Sequence, residues 1–186
     1  MPPEPFKFDG DLTEWKKSQI LRFVGRSVLD VGCNTGNLVR WLNSIGIYTE
    51  GIDRGDQWPE RQFESVVCWN TLEHIENDQE ALEKMLRIAT KNVILSIPKE
   101  DDISLPDSRL TYRPYVDPTH KHYYTRKRLA KMIGAHKTLI ELITPIRPAL
   151  IYNKCGMPKW LCSLADALLW RENENMYCNY LVVIWK

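Results

Sequence analysis

The chain has no apolar run of the roughly 18 residues that a membrane-spanning helix requires. Its opening stretch, MPPEPFKFDGDLTEW, lacks the basic-then-apolar pattern of a secretory signal. Neither sign of charge predominates: 25 Lys and Arg stand against 24 Asp and Glu. No global field therefore recruits nucleic acid or an anionic membrane, which disfavours a nucleic-acid partner. The five cysteines, Cys33, Cys68, Cys155, Cys162 and Cys178, form no C-x-x-C pair and no regular spacing. That argues against a disulfide framework and fits reduced thiols in a cytoplasmic protein. Internal repeats and low-complexity tracts are also missing.

What is there is an ordinary globule. The 186 residues, 44% hydrophobic and 26% charged, suffice for one domain with a real core. Short apolar strands alternate with amphipathic helices. A helix over residues 11–25 opens with Asp11 and Glu14 as a capping box and carries Leu12, Trp15, Ile20, Leu21 and Val24 at roughly helical spacing. SVLDVG reads as a buried strand. NLVRWLNSIG reads as a helix with Leu38, Trp41, Leu42 and Ile45 inward. YTEGID and SVVCWN are further strands, and NDQEALEKMLRIATK is a helix capped by Asn77 or Asp78. NVILSIP is a strand closed by Pro98, TRKRLAKMIG a helix, and TLIELITPI and YLVVIWK the last two strands. This order predicts an α/β, doubly wound, Rossmann-like sheet, mostly parallel with an antiparallel last strand and helices on both faces.

In such a sheet, ligands bind beyond the carboxyl ends of the strands. VLDVGCNTGNLVRWL places that end at Asp30–Gly32, followed by a polar, glycine-flanked turn and a helix start near Asn37. The turn is neither G-x-G-x-x-G nor a G-K-[ST] phosphate loop, so it suits a nucleoside-like ligand better than a pyrophosphate. VLDVGCNTG resembles the first motif, D-x-G-x-G-x-G, of class I S-adenosylmethionine-dependent methyltransferases. Asp30, Gly32 and Gly36 fall on its acidic and glycine positions, and Asn34 replaces the middle glycine, a residue that tolerates positive φ. FESVVCWNTLEHI, LRIATKNVILSIPKED and DPTHKHYYTRKRLAKMIG are similar to later segments of the same family, in the expected order, over about residues 26–135. The resemblance implies that S-adenosylmethionine is the cofactor. Its binding set would be Asp30, Gly32, Cys33, Asn34, Gly36, Asp53, Asp56, Trp58 and Asn70, with Asp53 accepting from the ribose hydroxyls.

One departure stands out. Only residues 54–62, RGDQWPERQ, separate Asp53 from Phe63. A crossover with its own helix and strand needs a dozen or more residues. The family's third strand and its helix are therefore expected to be missing, leaving the second strand at an edge. Asp56 then becomes a candidate acceptor for the adenine amino group. Trp58 either stacks on the adenine or, equally, shields the exposed edge.

Methyl transfer is an in-line displacement that needs a positioned acceptor and, for an oxygen or nitrogen nucleophile, a base. Glu73, His74, His120 and His122 are the catalytic candidates, the last two spaced to share one face of an extended segment. Three readings of this group stay open. It orients or deprotonates the acceptor, or its histidines are structural, or Glu73, His74 and His120 bind a metal. The metal reading resembles the small-RNA 3′-terminal 2′-O-methyltransferases, with their E-x-x-E-H and D-H-x-x-x-x-T-R segments. Here Asn70 stands in place of the first glutamate and no acid precedes His120. The favoured reading assigns no residue to a metal.

Loop 99–119 is long for a compact domain, and its Arg109, Tyr112, Arg113 and Tyr115 read either as a substrate-facing lid or as solvated side chains. Residues 157–175 read as an apolar helical insertion between the last strands. It is a packing element, a homodimer contact or a wall for an apolar acceptor. The favoured function is methyl transfer to oxygen or nitrogen of a small-molecule or sugar-like acceptor. The alternatives are a metal-assisted RNA 2′-O-methyltransferase and a non-catalytic cofactor-binding module.

Overall fold

The computed structural model describes residues 12–99, 119–145, 158, 160, 161 and 177–186. Within them lie four helices, α1 (Glu14–Leu21), α2 (Asn37–Ser44), α3 (Asp78–Ile88) and α4 (Arg126–Ile133). Six strands, β1 (Ser27–Val31), β2 (Tyr48–Ile52), β3 (Phe63–Trp69), β4 (Ala89–Pro98), β5 (Thr138–Pro145) and β6 (Tyr177–Trp185), form one sheet in the order β2-β1-β3-β4-β6-β5. β1 pairs in parallel with β2 and β3, and β3 with β4, whereas β6 runs antiparallel to both β4 and β5. The mostly parallel sheet with an antiparallel last strand is as the sequence predicts. So is the missing third strand: no helix or strand occurs between β2 and β3, and β2 forms one edge.

Each central strand is apolar on both sides because both faces are covered. On one face Leu29, Val66, Cys68, Val93, Leu95, Val182 and Ile184 meet α3 and α4 through Leu82, Met85, Leu129 and Ile133. On the other, Val28, Val67, Ile94, Leu181 and Val183 meet Ile20 of α1 and Leu38 and Leu42 of α2. Burying the hydrophobic side chains of this two-sided core, 29 among the described residues, supplies the main stabilisation.

The helix ends depart from expectation. α1 is capped by Thr13, whose side chain accepts from Lys16 N at 3.1 Å, and Glu14 is its first residue; Asp11 lies outside the described residues. It buries only Ile20, leaving Leu21 at 46% exposure, because the helix stops there and docks through a single turn. Ile45 is 48% exposed because it is the C-cap of α2, where φ −102° and ψ 12° turn it off the apolar stripe. The ATK expected in α3 opens β4 instead, since Ala89 is already extended (φ −70°, ψ 135°) and pairs with Phe63.

The β2 edge is guarded by charge. Arg61 bonds Tyr48 Oη and Glu50, both at 2.6 Å, and lies over the Tyr48 and Phe63 rings. A charged, twice-stacked side chain of this kind discourages another strand from adding there.

Candidate functional site

The register sets Val31 level with Ile52 and Cys68, so β1, β2 and β3 end together. Gly32 N and Cys33 N both donate to the Ile52 carbonyl, at 2.8 and 3.1 Å, folding the chain sharply over the end of β2. Gly32 has φ +81°, and a Cβ there would overlap the Thr71 side chain. Asn34, at the position of the family's middle glycine, has φ 44°. Gly36, φ +72°, caps α2 without a side chain, so the start of that helix faces the turn. Three left-handed residues in five make a concave backbone cradle.

Carboxylates converge on this cradle. Asp30 is 4% exposed, and burial raises its pKa to about 7, with the Asp53 charge adding and Lys16 opposing. The Cys33 thiol is pushed up by burial and then by the charges of Asp30, Asp53 and Asp56 together. Asp53 closes β2, exposed, with Oδ1 accepting from Arg54 N at 2.7 Å. Asp56 has a second duty: its Oδ2 accepts from Asp53 N at 2.7 Å, latching the loop. Trp58 is half-buried and packs on the core face that α3 covers, with Lys84 over its ring.

Asn70 follows β3 with φ 49°. Its Oδ1 accepts from Ser96 Oγ at 2.7 Å and from Asn179 Nδ2 at 3.0 Å, tying together the ends of β3, β4 and β6. Sequence reading missed Ser96 and Asn179, although lone polar residues inside apolar strands were the available signal. The next residue, Thr71, is the one that Gly32 abuts. The turns after β1 and β3 are therefore in contact.

The turn after β3 carries the cluster. Leu72–His74 form one 3-10 turn, with Glu73 1% exposed. Lys121 N donates to the Glu73 carbonyl at 2.7 Å, docking segment 119–125 against the turn. His74 Nδ1 lies 3.0 Å from Thr119 Oγ1 and 3.3 Å from its carbonyl. The His74 and His120 rings stand edge to face, 4.8 Å apart. Glu73, His74 and His120 each offer a ligating atom, all within 4.8 Å of one another.

His122 does not join them. Its Nε2 lies 2.8 Å from the Glu76 carbonyl, which only an N–H there can bond, and 3.8 Å from Asp78. His120 and His122 share the face expected of them: both are partly buried against residues 74–78, while Lys121 and Tyr123 between and beyond them are exposed. The buried Tyr124, unremarked in the sequence, donates to Asp78 Oδ2 at 2.8 Å, and Arg128 donates to the same oxygen at 2.7 Å. Burial and Asp78 hold the Tyr124 hydroxyl protonated. Arg109, Tyr112, Arg113 and Tyr115 lie outside the described residues. So does the 157–175 insertion except for Pro158, Trp160 and Leu161, of which Trp160 is 67% exposed.

A family model described as a methyltransferase domain matches residues 12–136. No curated protein matches the chain. Among solved structures, a SAM-dependent methyltransferase from Archaeoglobus fulgidus is similar at a TM-score of 0.58 and 18% identity, covering 93% of this chain and 94% of its own. Phosphoethanolamine N-methyltransferase 2 from Haemonchus contortus, in complex with phosphomonomethylethanolamine and S-adenosylhomocysteine, gives 0.61 and 14%, over 92% of this chain and 52% of its own. A Haloferax volcanii protein in complex with the Trm112 methyltransferase activator gives 0.61 and 10%, over 91% and 87%.

Proposed function

We propose a function from one premise: the chain belongs to the methyltransferase domain family, and its fold is that of the class I S-adenosylmethionine-dependent enzymes. On that premise it moves a methyl group to an oxygen or nitrogen of a small-molecule or sugar-like acceptor. The observation that carries this reading is the contact between the two turns, Gly32 against Thr71. It sets the carboxylate-ringed cradle beside the Glu73, His74 and His120 cluster.

The residues present fit the cofactor. Three carboxylates around a positive-φ turn favour a cation, and the glycine cap of α2, with no Cβ, accommodates close backbone approach. When bound, S-adenosylmethionine supplies an electrophilic methyl group on a positively charged sulfur. Gly32, Cys33, Asn34 and Gly36 would cradle it from the backbone, with Asp30 beneath. Asp53 would hold the ribose hydroxyls. Asp56 and Trp58 would form the adenine side, and Asn70 the wall towards β4, as a turn residue whose side-chain oxygen already accepts two bonds. Glu73, His74 and His120 would orient the acceptor and take its proton. His122 holds their segment in place from outside.

No helix among the described residues is long and apolar enough to cross a membrane. The proposal includes a cytoplasmic setting and a homodimer contact through residues 157–175. A small acceptor is supported by the balanced charge and by the size of the substrate bound to the Haemonchus neighbour.

Calorimetry with S-adenosylmethionine should give one site per chain, weakened roughly 30-fold or more in Asp53→Ala through loss of about two hydrogen bonds. Unchanged affinity in that variant overturns the ribose assignment. A labelled-methyl assay over polyols, amines and total RNA should label the small molecules. Label found in RNA alone overturns the acceptor class.

A further inference from the structure

We propose that Asp78 is a positioning residue for the acceptor-side cluster. Its buried carboxylate, clamped by Tyr124 and Arg128, sets how segment 119–125 lies and so delivers His120 to Glu73 and His74. Its part in catalysis rests on the reading of that cluster as the acceptor side; the placement it imposes is testable without that reading.

Asp78 opens α3 and is 6% exposed. Its Oδ2 accepts from Tyr124 Oη at 2.8 Å and from Arg128 Nη2 at 2.7 Å, donors that lie 46 and 50 positions further along the chain. A buried carboxylate is costly unless donors meet it, and hydrogen bonds to a charged group are the strong ones. The clamp is braced from two further sides. Arg128 Nη1 donates to the Tyr123 carbonyl at 3.1 Å, and its guanidinium lies over the Tyr124 ring, 4.9 Å from the centroid. Tyr124 itself is fully buried in the core that α3 and α4 cover. One anion thus ties the start of α3, the buried tyrosine and the first turn of α4 into a unit.

The clamp reaches His120 through alternation. Successive side chains of an extended segment point to opposite sides. Tyr124 is buried and His122 and His120 partly so, while Tyr123, Lys121 and Thr119 are exposed. Tyr124 is held on Asp78 Oδ2, and His122 Nε2 stands 2.8 Å from the Glu76 carbonyl and 3.8 Å from Asp78 Oδ1. The next inward position is His120, whose ring meets His74 edge to face at 4.8 Å. A slip of one residue would turn His120 outward and Lys121 inward. Lys121 N, donating to the Glu73 carbonyl at 2.7 Å, fixes how close the segment sits to the turn. Asp78 therefore acts on the cluster through the segment it grips.

The test uses the full chain and the imidazole NMR signals of its four histidines, His74, His120, His122 and His136, each assigned by substituting it in turn. Tyr124→Phe removes a single hydroxyl, and Arg128→Gln removes the guanidinium at a half-exposed position, so one folded variant suffices; the amide spectrum reports folding. In both, the His74 and His120 signals should shift while those of the exposed His136 stay. Glu80→Gln, two residues beyond Asp78 on the exposed side of α3, should shift neither. With the acceptor that takes label in the assay above, kcat should fall about 10-fold or more in Tyr124→Phe and in Asp78→Asn, with the cofactor KM unchanged. His74 and His120 signals unmoved in the folded clamp variants, or moved equally by Glu80→Gln, overturn the placement. Shifted signals with unchanged kcat overturn the part in catalysis. S-adenosylmethionine calorimetry on the wild type shows separately whether the methyltransferase reading stands.

Discussion

The two ends of the same parallel sheet solve the polar-group problem in opposite ways. At the end where β1 and β3 begin, Ser27, Glu64, Ser65 and Asn92 each close on a neighbour. Ser65 Oγ donates to Asn92 Oδ1 at 2.7 Å and accepts from Gly25 N at 2.9 Å, and Asn92 Nδ2 donates to the Phe23 carbonyl at 3.0 Å. Glu64 takes Arg26 N, and Ser27 takes Glu64 N, each at 2.9 Å. At the other end, Gly32, Asn34, Gly36 and Asn70 are all left-handed, and two carboxylates, Asp30 and Glu73, are almost wholly buried. The first end is built for stability. The second stores conformational and electrostatic cost of the sort that accumulates where a chain meets a ligand.

The contrast can be broken by substitution. Gly32→Ala should have the largest effect: backbone strain and overlap with Thr71 together cost about 4 kcal/mol, and S-adenosylmethionine binding should vanish in calorimetry. Asp30→Asn comes next. The folded pKa of about 7 lies above the unfolded value near 4, so the folded state holds the proton longer. Wild-type stability should therefore fall by on the order of 3 kcal/mol as pH rises from about 4 to about 7, and level off above. The asparagine variant should lack this slope in urea melts, and a parallel slope in both proteins would contradict the burial argument. Asn92→Ala is the sharpening control. It should cost about 2 kcal/mol of stability by orphaning Ser65 and the Phe23 carbonyl, with cofactor affinity unmoved.

Much of this architecture is legible locally. Buried strands, the glycine-flanked first turn and the short link 54–62 are properties of consecutive residues, and they predict the sheet, its cradle and its absent strand. What stayed hidden depends on partners remote in sequence. Asn70 meets Asn179 across 109 positions, and Tyr124 meets Asp78 across 46. No periodicity announces either. The different partners of His120 and His122, on one face of the segment, have the same origin, since the spacing fixes the face and not what lies opposite it. The misread ends of α1 and α2 are matters of a single dihedral pair, Ile45 among them.

The loop after β2 is fastened twice, by the Asp53–Asp56 latch at its start and by the Arg61 clamp on Tyr48 and Glu50 near its close. Only residues 57–60 remain between the fastenings. A rim so short and so tethered behaves as a rigid frame, so in the proposed site the nucleobase side would have little latitude to adapt and any shape variation would fall on the opposite, acceptor-facing wall.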